Sequence, residues 1–198
     1  MTKQLMMAGV AVSIALAGCS AGGSSGLSED DIHKALADAL DRPSCMTDVA
    51  FTSFPVEPPP ALFGNGHRDF DALVSAGLAT KTGKVYALTP AGKAAFNPER
   101  KGFCYSAGHQ IVKVLDVAPI PDAQLGQVAD KGWTVTLSIA QKPVAAWVRT
   151  PAIQKRVLDP TDLSTEPKTY HVTLGRERGT EGVKRFDAMF NLPSGFSY

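Results

Sequence analysis

The sequence predicts an α+β fold, with helices in the first half of the mature chain and an antiparallel sheet of about five strands in the second. Three observations lead there. Apolar residues recur at helical spacing over 28–41 (Ile32, Leu36, Ala39, Leu40) and over 67–77 (Phe70, Leu73, Val74). Later the period changes to two: Trp133, Val135, Leu137 and Ile139 alternate with Thr134, Thr136 and Ser138. The links between these later segments are short, which favours antiparallel pairing. The chain of 198 residues is 44% hydrophobic and 20% charged, with 18 Gly and 14 Pro. That composition excludes disordered, collagen-like and multi-span membrane classes. Lys plus Arg number 20 against 19 acidic residues, for a formal charge of +1, so no general basic excess is available to hold a polyanion.

The N-terminus reads as an address. Lys3 is followed by an uncharged, mostly apolar stretch from Leu5 to Leu16 and then by small residues. Those 12 residues are too few to span a bilayer, which takes about 20, but they suit the h-region of a secretory signal. The tetrapeptide Leu16-Ala17-Gly18-Cys19 resembles the lipobox of bacterial lipoproteins. The resemblance implies that residues 1–18 are removed. Cys19 then becomes the mature N-terminus, carrying a thioether-linked diacylglycerol and an amide-linked acyl chain. The expected partners are the membrane, through that lipid, and envelope proteins. Ser20 after the cysteine, in place of an acidic residue, points to the outer membrane on its periplasmic face. The alternatives are a plain signal peptide cleaved near Ala21 and an uncleaved core helix.

With Cys19 assigned to lipid, Cys45 and Cys104 are left as a pair in an oxidising compartment, and a disulfide is the simple inference. Two buried free thiols or a metal pair are the alternatives. No His or third Cys stands at ligand spacing to favour the metal.

Residues 19–27 form a Ser/Gly-rich tether. Ser28 with Asp31 three residues on reads as an N-cap, opening a helix over 28–41 that Pro43 stops. From Val49 to Gly66, with Pro55, Pro58, Pro59 and Pro60, an extended connection is expected, and Gly64-Asn65-Gly66 is a turn. A helix over 67–77 ends at Gly77. A hairpin turns at Thr82-Gly83-Lys84, and Pro90 opens a short helix through Phe96. The run from Asp71 to Leu78, then Tyr86 to Lys93, is similar to the helix, wing and terminal helix of winged-helix domains. In DNA-binding members the helix enters the major groove and the wing meets phosphate. Here Asp69 and Asp71 stand against Arg68 on the helix, and the wing offers only Lys81 and Lys84. A protein-contact module is therefore expected, and no nucleic acid.

The second half, 101–198, is expected to be a β-rich subdomain against a helical subdomain at 28–100. Its strands are Ile111–Val117, Trp133–Ile139, Val144–Val148 and the alternations Tyr170, Val172, Leu174 and Phe186, Ala188, Phe190, Leu192. Five strands are too few for an outer-membrane barrel. Trp133 and Trp147 are expected to face each other across a hairpin, and Arg176–Glu181 to form a charged turn.

Candidate chemistry is sparse. Cys104-Tyr105-Ser106-Ala107-Gly108-His109 sets a Ser near a His, but a nucleophile elbow would need Gly at position 104. His67, Asp69 and Asp71 are potential metal ligands, although on a helix residue 69 points away from the face shared by 67 and 71. His33 and His171 stand alone. No phosphate loop, dinucleotide fingerprint, zinc or EF-hand spacing occurs, so no cofactor and no metal are expected. The expected role is binding or assembly. The rival is an envelope hydrolase or transferase built on Ser106, His109 and His171. A third reading is a ligand-binding module using the open face of the sheet.

Overall fold

The computed structural model describes residues 26–58, 67–127, 129–155 and 163–197. The apolar leader, Cys19, most of the tether and the 64–66 turn lie outside those residues. In chain order the elements are α1 (Glu29–Leu40), β1 (Ser44–Thr47), α2 (His67–Ser75), β2 (Ala79–Thr82), β3 (Val85–Leu88), α3 (Pro90–Ala95), β4 (Phe96–Asn97), β5 (Gly102–Ser106) and β6 (His109–Pro119). There follow α4 (Asp122–Leu125), β7 (Ala129–Gln141), a 3-10 turn at Ala146–Arg149, α5 (Pro151–Gln154), β8 (Lys168–Glu177), β9 (Val183–Arg185) and β10 (Gly195–Ser197). Helices and antiparallel sheets coexist, so the fold is α+β. Among the described residues no helix is long and apolar enough to cross a membrane.

Local chemistry accounts for the first helix. The Ser28 hydroxyl accepts from the Asp31 amide at 3.1 Å, and the Asp31 carboxylate accepts from the Ser28 amide at 3.3 Å. This reciprocal capping box satisfies donors that no helical carbonyl can reach. The Ser28 hydroxyl and then its amide also hold the Asp31 carboxyl below its ordinary pKa. Further along, α2 ends in a Schellman arrangement. The amide of Leu78 bonds the carbonyl of Leu73 at 2.9 Å, the amide of Gly77 bonds that of Val74 at 3.0 Å, and Gly77 takes the left-handed φ of 74°. Thr89 then caps α3, with its hydroxyl accepting from Gly92 at 3.0 Å.

Two hydrophobic clusters organise the molecule. The first gathers Met46, Phe51, Phe70, Leu73, Leu78, Tyr86, Phe103 and Tyr105 around the mixed sheet β10-β1-β5-β4 and the hairpin β2-β3. The second packs Ile32, Leu36 and Leu40 of α1 onto Trp133, Val135, Leu137, Ile139, Val172 and Leu174 of the antiparallel sheet β6-β7-β8-β9. The opposite face of that sheet carries Thr134, Thr136, Ser138, Thr169, His171 and Thr173, as strand alternation requires.

These clusters cross the division expected at residue 100 in both directions. Helix α1 belongs to the sheet of the second half, because its buried stripe faces β6–β9. Val148, Ile153 and Leu163 bury themselves in the first cluster. The C-terminal sheet has four strands among the described residues rather than five. Val144–Val148 is not a strand. After Pro143 the chain turns into the 3-10 segment, anchored by the Ala145 amide on the Tyr105 carbonyl at 2.7 Å. The alternation at 186–192 is not a strand either. The Asp187 carboxylate accepts from the amides of Met189 and Phe190 at 2.9 and 3.1 Å, a local turn that competes with ladder pairing. Trp133 and Trp147 do not face each other. Trp133 is buried under α1, whereas Trp147 lies against the first cluster, with its ring 6.3 Å from that of Tyr105.

Strand β6 is an edge strand interrupted twice. Its register with β7 skips at Val112 and again at Leu115, the two exposed large apolar residues of the strand. Bulges of this kind bend an edge and blunt its capacity to pair with another chain.

Candidate functional site

The structure joins Cys45 to Cys104 by a disulfide, with an S–S distance of 2.10 Å. The two residues are direct register partners on neighbouring strands β1 and β5. They are not equivalent. Cys45 is 1% exposed, and β10 pairs with its other side. Cys104 is half-buried and lies in the wall shared by two shallow grooves of about 480 and 430 Å³. Pro43 also lines both.

Close by, β5 turns into β6 through Ala107 and Gly108, which brings Ser106 and His109 near one another in sequence but not into a reactive pair. The Ser106 hydroxyl lies 3.0 Å from the Lys142 carbonyl and 3.2 Å from that of Gly108, so its proton is directed at backbone oxygen. A Ser–His nucleophile needs that proton aimed at imidazole nitrogen. His109 is 5% exposed, and its Nδ1 has no hydrogen-bond partner among the described residues. Burial first, and then the Lys142 charge, push its pKa below the ordinary histidine value. Opposite it on β7, Gln141 donates to the Ser44 hydroxyl at 3.0 Å, which in turn donates to the Pro193 carbonyl at 3.3 Å. These buried polar groups form a seam between the two sheets. His109 and Gln141 also line a cavity of about 20 Å³ there, together with Ser164, Glu166, Lys168 and Tyr170.

His171 is elsewhere. Its Nδ1 lies 3.1 Å from the Thr136 hydroxyl, and it pairs in register with Thr136, five residues along β7 from the partner of His109. At about 3.4 Å per residue that is roughly 17 Å along the sheet. Ser106, His109 and His171 therefore do not share one site.

On α2 the expected ligand trio separates. Asp69 is 4% exposed, while Asp71 accepts from Lys81 Nζ at 2.9 Å and from the Tyr86 hydroxyl at 2.7 Å. Lys81 and then Tyr86 hold the Asp71 carboxyl below its ordinary pKa, while burial foremost raises that of Tyr86. This triad ties the β2-β3 hairpin to α2. Among the described residues no group of three or more His, Cys, Asp or Glu could hold a metal. The Lys81–Asp71–Tyr86 link was not legible in advance, since it joins residues ten and fifteen apart through a turn whose geometry decides the contact.

Of the charges at Arg176–Glu181, Glu177 and Arg178 are paired with near neighbours, while the buried Arg176 Nε has no hydrogen-bond partner among the described residues. Arg176 and Glu177 belong to β8, Arg178 reaches Asp130 at 3.2 Å, and Lys184 reaches Glu177 at 2.6 Å. Comparison of the chain with protein-family models, curated proteins and solved structures returns no significant match.

Proposed function

We propose that the chain is an exported lipoprotein of the bacterial envelope, held through lipid on Cys19 at the periplasmic face of the outer membrane. There it acts by binding or assembly. The observation that carries this reading is Leu16-Ala17-Gly18-Cys19 directly after a short apolar run, with the remaining two cysteines paired to each other. The first helix among the described residues opens with the capping box at Ser28, nine residues beyond Cys19. That spacing leaves a short Ser/Gly tether between lipid and first helix. Two or more acyl chains, each buried methylene worth about 0.8 kcal/mol, account for stable retention without a spanning helix.

The succession α2, hairpin β2-β3, α3 supports the winged-helix resemblance, used here as a protein-contact module. Of the two wing lysines, Lys81 is taken up by Asp71, and Lys84 stands 4.0 Å from Glu57. Neither is left as an unopposed cation for phosphate. Replacing Cys19 with Ser and fractionating cells tests the anchor. Release of the protein from membranes is expected, and unchanged retention would overturn the assignment.

A further inference from the structure

We propose that the seam at His109 is an acid-operated latch on the C-terminal strand: a proton taken up by the imidazole releases β10 from β1 while the sheet β6–β9 stays folded. In the closed seam His109 is 5% exposed, and a neutral ring leaves only its Nδ1 without a partner among the described residues. An imidazolium carries a proton on both nitrogens. Nδ1 then becomes a charged donor, buried and with nothing to receive it, which is a far larger penalty than an unpaired neutral nitrogen.

The surroundings do not compensate. The ring's own strand brings no charge before Lys113. Lys142 follows β7 and is tied to Asp41 at 3.0 Å. The connection from α1 to β1, packed on Gly108, carries Asp41 and Arg42. The cavity wall adds Glu166, Lys168 and Tyr170, whereas the segment before β10 brings Pro193 and Ser194, neither of them titratable. Of these charges it is Lys142 that acts on the ring: burial, and then that cation, weigh against the imidazolium. On the same seam Gln141 Oε1 also lacks a partner among the described residues. Its amide is already committed, with Nε2 donating to Ser44 at 3.0 Å and Ser44 donating in turn to the Pro193 carbonyl at 3.3 Å. An imidazolium that draws on Oε1 turns this amide and loosens Ser44. One that does not stays unpaired until a wall gives way.

The wall before β10 yields first. Strands β7 and β8, of 13 and 10 residues, are paired along their length. The stretch before β8 is anchored by Leu163, which is buried in the first cluster and accepts at its carbonyl from Arg149 at 3.2 Å. By contrast β10 is an edge strand of three residues, held by its short ladder to β1 and by the Cys45 amide on the Ser194 carbonyl at 3.1 Å. Such an element opens at the low end of the stability range. Its departure leaves the backbone edge of β1 unpaired. The latch does not rest on lipid at Cys19, so loss of the anchor leaves it in place.

Amide hydrogen exchange tests it, read by mass spectrometry on the folded full chain with its disulfide intact, at pH 7 and pH 5, and corrected for the intrinsic pH dependence of exchange. The peptide over 194–197 is expected to exchange faster than the peptide over 133–139 at both pH values. Its protection should fall about tenfold or more from pH 7 to pH 5, the scale set by one proton gained on opening. Equal rates in the two peptides would overturn the proposal, since β10 would then open only with the whole molecule. So would unchanged protection over 194–197, or a fall confined to 163–166. In Lys142→Met the cation facing the ring is gone and the closed state accepts the proton more readily, so the fall over 194–197 should shrink severalfold. His109→Leu should abolish it. A fall of undiminished size in either variant would contradict the latch.

Discussion

Around Phe103 the chain packs aromatic rings, those of Phe51, Phe54 and Phe96 lying 5.3, 5.8 and 5.3 Å from it, on strands of two to five residues. Around Val135 it packs mainly aliphatic side chains on β6, β7 and β8, of 11, 13 and 10 residues. Long strands hold their register because a slip of one residue would turn every buried side chain outward. Short strands have no such protection. The first region compensates with a covalent link between β1 and β5, edge-to-face rings, and capped helix ends that place α2, the hairpin and α3. One region is held by repetition, the other by individual devices, and single changes should therefore act differently on the two.

Removing the covalent device should give the largest effect. Replacing both Cys45 and Cys104 with Ala opens a loop whose ends are 59 residues apart in sequence, with an expected loss of about 4 kcal/mol on the chain-entropy model. Urea unfolding of the variant should show it, with amide exchange accelerating in β1 and β5 before β7. Uniform acceleration across both sheets would mean that the two regions unfold as one unit. Truncating Leu36 to Ala, beneath α1, should cost about 3 kcal/mol, the middle of the range for buried Leu. In this variant the order of exchange should reverse, with β6–β8 loosening first.

Two smaller tests sharpen the contrast at the boundaries. His109 sits on the seam between the regions with its pKa lowered by burial. The unfolded chain therefore binds a proton that the folded chain rejects. Stability conferred by the neutral ring is present above the unfolded value of 6.5 and falls as pH drops from there toward the folded pKa. Its slope is at most about 1.4 kcal/mol per pH unit. His109→Leu should flatten this part of the profile, and a wild-type midpoint unchanged between pH 7 and 5 would contradict the assignment. Ser28→Ala, removing the cap of α1, should cost about 1 kcal/mol, read as a lower urea midpoint with unchanged m-value.

The regions also differed in how much of them could be read from residues alone. The strand β7 was plain because Trp133, Val135, Leu137 and Ile139 keep period two without a break, and α1 was plain because Ser28 and Asp31 mark its start. In the first region β1, β4 and β10 are too short to show a period, and β10 finds β1 from the far end of the chain. Val144–Val148 is a short apolar run that reads as a strand, yet it forms a 3-10 segment that still buries Val148. Cys45 and Cys104 were legible because assigning one sulfur leaves two. The seam was not, because a histidine's burial depends on which strands meet over it.

The account depends most on the division of the three sulfurs, and intact-mass spectrometry of the membrane-extracted protein without reductant tests it directly. The expected mass is that of a chain beginning at Cys19, increased by a diacylglycerol and an acyl group and lighter by two hydrogens for the Cys45–Cys104 bond. An unmodified polypeptide of 198 residues with three alkylatable thiols would contradict it.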